Sequence, residues 1–157
     1  MKIVTNYEFY NILVNIINNL VYKNKNVSNN TVIFDIDGTL IDEKDESLIE
    51  SVYNFYKYCE RLGLNNIIIT ARSSVYLSKD YTLKLLDRYN IRKTVYFMKP
   101  NALNVFNYKR NARKNEYDKG NNILLSIGDN LCDIGEYGGV GILVKKIDKD
   151  HISYHIY

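Results

Sequence analysis

The sequence predicts an α/β protein, a three-layer, doubly wound parallel sheet of about five strands with helices on both faces. Short continuous apolar runs alternate with longer segments whose apolar residues recur at helical spacing, the pattern of strands covered on both sides by crossover helices. Several of those runs finish on polar residues, and in an open parallel sheet ligands bind outside the carboxyl ends of the strands, where strand order reverses. The length of 157 residues, with 46% hydrophobic and 25% charged content, suits one soluble domain able to bury a core without crosslinks.

From Phe9, the positions Ile12, Leu13, Ile16, Ile17, Leu20 and Val21 continue a helical stripe. Residues 1–30 are therefore expected to form an amphipathic helix and polar loop packed on a core of residues 31–157. The first central strand is "TVIFD", Thr31 to Asp35, followed by the charged loop "IDEKDE". In the next segment Leu48, Val52, Phe55, Cys59 and Leu62 share a helical face; Ser47 with Glu50 reads as a capping box, and Gly63 as the stop. "NNIIIT" is the second strand, ending at Thr70, and a helix follows over about Leu77 to Tyr89. The strand "KTVYFM", a basic helix from about Leu103 to Tyr117, the strand "NILLSI" and the apolar run "VGILV" complete the alternation. The alternating "HISYHIY" reads as an edge strand, which places His151 and His155 there and not on a metal-binding helix face.

Composition excludes several classes. The net charge of +3 and sequence pI near 8.7 permit an anionic substrate but fall short of a dedicated nucleic-acid binder. Cys59 and Cys132 show no paired spacing, so a reducing compartment is expected. Asparagines interrupt the apolar amino terminus, and no cleavage pattern follows it. The sequence accordingly reads as cytoplasmic, without a membrane span.

The polar strand ends carry the chemistry. Asp35 and Asp37 follow the first strand, Thr70 the second, and Asp129 and Asp133 the strand "NILLSI". Residues two apart on an extended chain face the same way, so Asp35 and Asp37 can both enter the crevice, and Gly38 allows a tight turn and a close backbone approach. Carboxylates brought together in a sheltered crevice repel unless a proton or cation separates them. An oxygen-only set suits Mg²⁺, which takes one or two carboxylates, keeps waters and completes its shell with phosphate.

"DIDGTL", "IIITAR" and "SIGDNLCDI" resemble the first, second and fourth motifs of the haloacid dehalogenase (HAD) superfamily. Lys109 in "FNYKRNARKNEY" resembles the third-motif lysine of plant-type acid phosphatases and vegetative storage proteins. Lys99, ahead of the single proline, competes for that role. The resemblance runs from Thr31 to Val144 and implies a Rossmann-like HAD fold with a minimal cap. It also implies a Mg²⁺-dependent phosphomonoester hydrolase working through an aspartyl-phosphate. Asp35 would be the nucleophile, and Asp37 the acid and then the base. Gly38, Thr39, Thr70, Ala71 and Lys109 would surround the phosphoryl group, and Asp35, Asp37 (through its carbonyl), Asp129 and Asp133 would form the metal site. Ala71 stands where the family commonly has glycine.

Such an open site would admit a polynucleotide end, a phosphoprotein or a small phosphomonoester. Two other readings compete: a receiver-like phosphoacceptor module, which would not need a second carboxylate placed like Asp37, and a catalytically weak storage or scaffold relative, against which the retained Asp35 speaks. The basic run Tyr108 to Lys119 reads mainly as a solvated helix, with nucleic-acid contact as the unsupported alternative. The amino-terminal helix is a candidate homodimer contact.

Overall fold

The computed structural model describes residues 1–91 and 93–157. The elements, in chain order, are β1 (Lys2–Thr5), α1 (Asn6–Lys23), β2 (Asn30–Phe34), α2 (Glu50–Arg61), β3 (Asn65–Ser73), α3 (Tyr76–Arg88), β4 (Val95–Met98), α4 (Val105–Asp118), β5 (Asn122–Gly128), β6 (Val140–Lys146) and β7 (His151–Ile156). A 3-10 turn, Leu131–Asp133, separates β5 from β6.

The sheet has seven strands in the order β1-β7-β6-β5-β2-β3-β4, not the five of the sequence reading. From β6 to β4 neighbours run parallel, while β7 pairs antiparallel with β6, and β1 antiparallel with β7. The segment read as an edge strand is thus covered by β1, whose four residues are too short to show a period. Successive strands step outward from β2 in one direction and from β5 in the other. The switch point therefore lies between the carboxyl ends of β2 and β5.

The two faces of the sheet are unequal. Phe9, Leu13 and Ile17 of α1, Val52, Phe55, Tyr56 and Cys59 of α2, and Leu85 and Leu86 of α3 pack in one cluster with Val32, Phe34 and Ile68. The alternate strand residues Ile33, Ile67 and Ile69 pack with Ala112 of α4, as the period-two alternation of side chains requires. One helix therefore covers the second face, and it stands over the switch point.

Two local expectations meet different outcomes. Gly63, at φ +77, follows the last turn of α2, and Leu64 donates its amide to the Cys59 carbonyl at 3.1 Å, closing the helix as a Schellman turn. Ser47, by contrast, does not cap α2, which starts after Ile49 with no side-chain cap. The Ser47 hydroxyl and amide both donate to Asp45 Oδ1, at 2.6 and 3.0 Å. The local Asx turn takes the hydroxyl because the chain is still in a flap, held by the bridges Asp37–Ile41 and Ile41–Leu48.

Leu13 is fully buried, so Leu13→Ala should lower the unfolding free energy by about 2–5 kcal/mol, measured by urea denaturation. A loss within experimental error would show that α1 folds apart from the sheet.

Candidate active site

Asp35 leaves β2 at the switch point, 6% exposed. Thr39 Oγ1 donates to its Oδ2 at 3.4 Å, and Lys109 Nζ donates to its Oδ1 at 2.9 Å. The same ammonium also bonds Asp133 Oδ1, with Lys109 3% and Asp133 5% exposed. Asp35, Asp129 and Asp133 present carboxylate oxygens within 4.8 Å of one another. The structure thus brings together five of the residues singled out in the sequence, Asp35, Thr39, Lys109, Asp129 and Asp133.

Electrostatics follows from this crowding. Burial, then the Asp133 charge, raises the Asp35 carboxyl well above the usual carboxylate range, although Lys109 opposes the shift. Burial and Asp133 likewise raise Asp129. Burial by itself would lower Lys109, but the charges of Asp35 and Asp133 outweigh it and raise the ammonium. Three carboxylates clustered within 4.8 Å of one another are accompanied by one ammonium, and the two charges left over are those of one divalent ion. Oxygen donors, burial and this imbalance all fit Mg²⁺.

The surrounding backbone leaves no slack. Gly38 has φ +74, a conformation L side chains rarely adopt, and a Cβ there would stand on the Asp129 carboxylate. Asn130 donates its amide to Asp133 Oδ2 and its Nδ2 to Asp129 Oδ1, both at 3.0 Å. Arg113, one turn beyond Lys109, is 4% exposed and donates to the carbonyls of Cys132 at 2.8 Å and Glu136 at 2.9 Å, tying the loop after β5 to α4. Burial lowers the Arg113 guanidinium, and its hydrogen bonds go to carbonyl oxygens. The side of α4 that carries Lys109 and Arg113 is therefore buried, not solvated as the sequence suggested. Arg110 and Lys114 do lie on the solvated side, paired with Glu136 and Asp118.

The remaining expected residues take different positions. Asp37 lines the cleft, yet its carboxylate lies outside the acidic cluster and forms a two-point pair with Arg72, from Nε at 2.9 Å and Nη2 at 2.7 Å. Arg72, whose guanidinium is raised first by its hydrogen bonds to Asp37, also donates to Thr82 Oγ1 at 3.2 Å and lies 3.8 Å from Glu46 of the flap. Sequence reasoning gave Arg72 no part in the site, because nothing in the spacing marks a pair 35 residues apart. Thr70 is fully buried; its hydroxyl accepts from the Arg72 amide at 3.1 Å and its carbonyl from the Tyr108 hydroxyl at 2.8 Å. Ala71, not Thr70, lines the cleft. Lys99 is exposed and lines a separate groove beside Tyr96 and Asn101. Cys132 lines the cleft, but burial followed by the Asp133 charge pushes its thiol up to about 11, against the oxidation sensitivity its position suggests.

These side chains floor an open cleft of about 540 Å³, walled by Val105, Phe106, Leu131 and Leu143. Residues 41–149 match the family model described as HAD superfamily, subfamily IIIB (acid phosphatase). The chain belongs to that acid phosphatase family. It is thereby a phosphatase, a phosphoric monoester hydrolase on the α/β fold of the superfamily. The match opens just past "DIDGT", so Asp35 and Asp37 lie outside it, while Thr70, Lys109, Asp129 and Asp133 lie within it. No curated protein matches the chain. Among the described residues no helix is long and apolar enough to cross a membrane.

Lys109→Met would leave the buried Asp35 and Asp133 carboxylates facing each other without their shared cation. The expected cost is about 3–5 kcal/mol in urea unfolding at neutral pH. A midpoint equal to that of the unsubstituted acid phosphatase would show that the ammonium does not offset their repulsion.

Proposed function

We propose that this acid phosphatase hydrolyses phosphomonoesters through an aspartyl-phosphate on Asp35, with Mg²⁺ held by Asp35 and Asp129 and supported by Asp133. The observation that carries this reading is the Asp35 carboxylate itself, buried, bonded to Lys109 and Thr39, and set on the floor of a cleft open to solvent. Mg²⁺ bound there would offset the charge shared by carboxylates and phosphate and stabilise the transition state.

The chain's own residues account for the remaining steps. The Lys109 ammonium favours the ionised form of Asp35 and would neutralise one phosphoryl oxygen. An Asp35 oxygen attacks phosphorus, the bond from phosphorus to the ester oxygen breaks, and Asp37 gives that oxygen its proton. Asp37 then takes a proton from water as the water oxygen attacks phosphorus, the acyl-phosphate bond breaks, and inorganic phosphate leaves with Asp35 restored. The pair with Arg72 holds Asp37 at the wall of the cleft, and each carboxylate oxygen keeps a second lone-pair site for this proton traffic. The flap of residues 41–49 is short and tied down at Asp42 by Lys146, at 2.6 Å, and at Glu46 by Tyr81 and Tyr89. This supports a capless, open site.

Asp35→Asn should keep its circular dichroism and reduce phenyl phosphate turnover by more than about a thousand-fold. EDTA should abolish wild-type turnover and Mg²⁺ restore it. Substantial activity in the variant, or in chelated enzyme, would refute the reading. Arg72→Gln should slow alkyl phosphates, whose leaving oxygen needs a proton, by about 10²-fold or more relative to p-nitrophenyl phosphate; equal slowing of both would remove Arg72 from the positioning of Asp37.

A further inference from the structure

A second concavity, of about 600 Å³, adjoins the catalytic cleft and shares Glu43 and Asp129 with it. Its walls are the flap on one side and the end of β6 with the β6–β7 turn on the other, and they carry Lys44, Lys145, Lys146 and Lys149. Lys146 is spoken for by Asp42. The Asp148 carboxylate on the same wall is occupied by His151 Nδ1 at 2.9 Å and by the amides of Asp150 and His151 at 2.8 and 2.9 Å. None of the ion pairs among the described residues uses Lys44, Lys145 or Lys149. Glu43 and Asp129 sit at the junction with the cleft, where Glu43 raises Asp129 further and Asp129 belongs to the charge that the proposed Mg²⁺ offsets. Away from that junction the trough is lined by three lysines outside those ion pairs, Lys44, Lys145 and Lys149, against the one Asp148 carboxylate.

We infer that the leaving group of the substrate is itself polyanionic: the phosphodiester backbone of a single nucleic-acid strand, whose terminal phosphomonoester is cleaved at Asp35. This rests on the phosphatase reading above and names its substrate class. A small phosphomonoester would fill the catalytic cleft and leave the trough unused. A strand end placed at Asp35 continues into the trough, where lysines on both walls meet successive phosphates. Lysines are point charges on flexible stems and read no base, so recognition is independent of sequence. The cleaved bond joins phosphorus to the terminal sugar oxygen; the strand leaves with a free hydroxyl, the phosphate as inorganic phosphate. The lysines concerned are not those of the basic helix α4, whose charges are buried at the site or paired on its surface.

The test compares kcat/KM for 5′- and 3′-phosphorylated single-stranded oligonucleotides, a hexose bisphosphate and phenyl phosphate, each at rising salt. Three lysine–phosphate contacts at a slope of about −0.7 each predict a total slope near −2, or about twenty-fold weaker use of the oligonucleotide between about 50 and 200 mM salt. The combined Lys44→Ala, Lys145→Ala and Lys149→Ala variant should lower the ratio of oligonucleotide to phenyl phosphate turnover about ten-fold or more at low salt and flatten the slope, each single substitution removing about a third of it. The inference is overturned if phenyl phosphate is hydrolysed and neither oligonucleotide is, if the triple variant keeps the wild-type ratio and slope, or if the hexose bisphosphate alone depends on the lysines. Failure of the underlying phosphatase reading looks different: no substrate is turned over, or Asp35→Asn hydrolyses all of them.

Discussion

The fold is organised around a single buried ammonium. Lys109 reaches from α4 to Asp35 at the end of β2 and to Asp133 in the turn after β5, and none of the three can be moved without leaving another charged and unpaired away from water. An uncompensated buried charge costs far more than a surface pair contributes, so this contact fixes the relative placement of helix, strand end and turn. It also ties structure to chemistry, because the carboxylate it restrains is the one proposed here as the attacker of the phosphoryl group.

The topology makes such a contact available. Only where the strand order reverses does the sheet leave a gap between adjacent carboxyl ends, and β2 and β5 supply that gap here. Three helices stack on one face and leave the other to α4, which can therefore lie directly over the gap. The two antiparallel strands β7 and β1 lie far from the gap and extend the sheet beyond β6, and the turn between β6 and β7 forms part of the neighbouring trough.

Much of this was legible in the sequence, for identifiable reasons. "TVIFDIDGTL" carries a continuous apolar run and the residues that terminate it, so one stretch reports both strand and site. Lys109 was legible only through the likeness of its helix to a known one, since Lys99 had an equal claim by charge; the structure puts Lys109 in the site and Lys99 on the surface. Hydrophobic periodicity is blind to the buried face of α4, because Lys109, Arg113 and Glu116 occupy it. Their partners lie in other elements, and no local spacing encodes that. The same holds for Arg72 and Asp37, while Ser47 looked like a cap because an Asx turn and a capping box use the same residue types.

Lys109, Arg113 and Glu116 stand one and two turns apart on a single buried stripe, Glu116 accepting from the Tyr96 hydroxyl at 2.8 Å and from Asn121 at 2.6 Å. A helix turns about 100° per residue, so any slip in its register would dislodge the ammonium, the loop clamp and the anchor to β4 together. A shift of α4 would therefore undo all three contacts at once, whereas the flap and the β6–β7 turn are held by contacts of their own. The flap and the β6–β7 turn could be altered one residue at a time while the carboxylates under α4 keep their places.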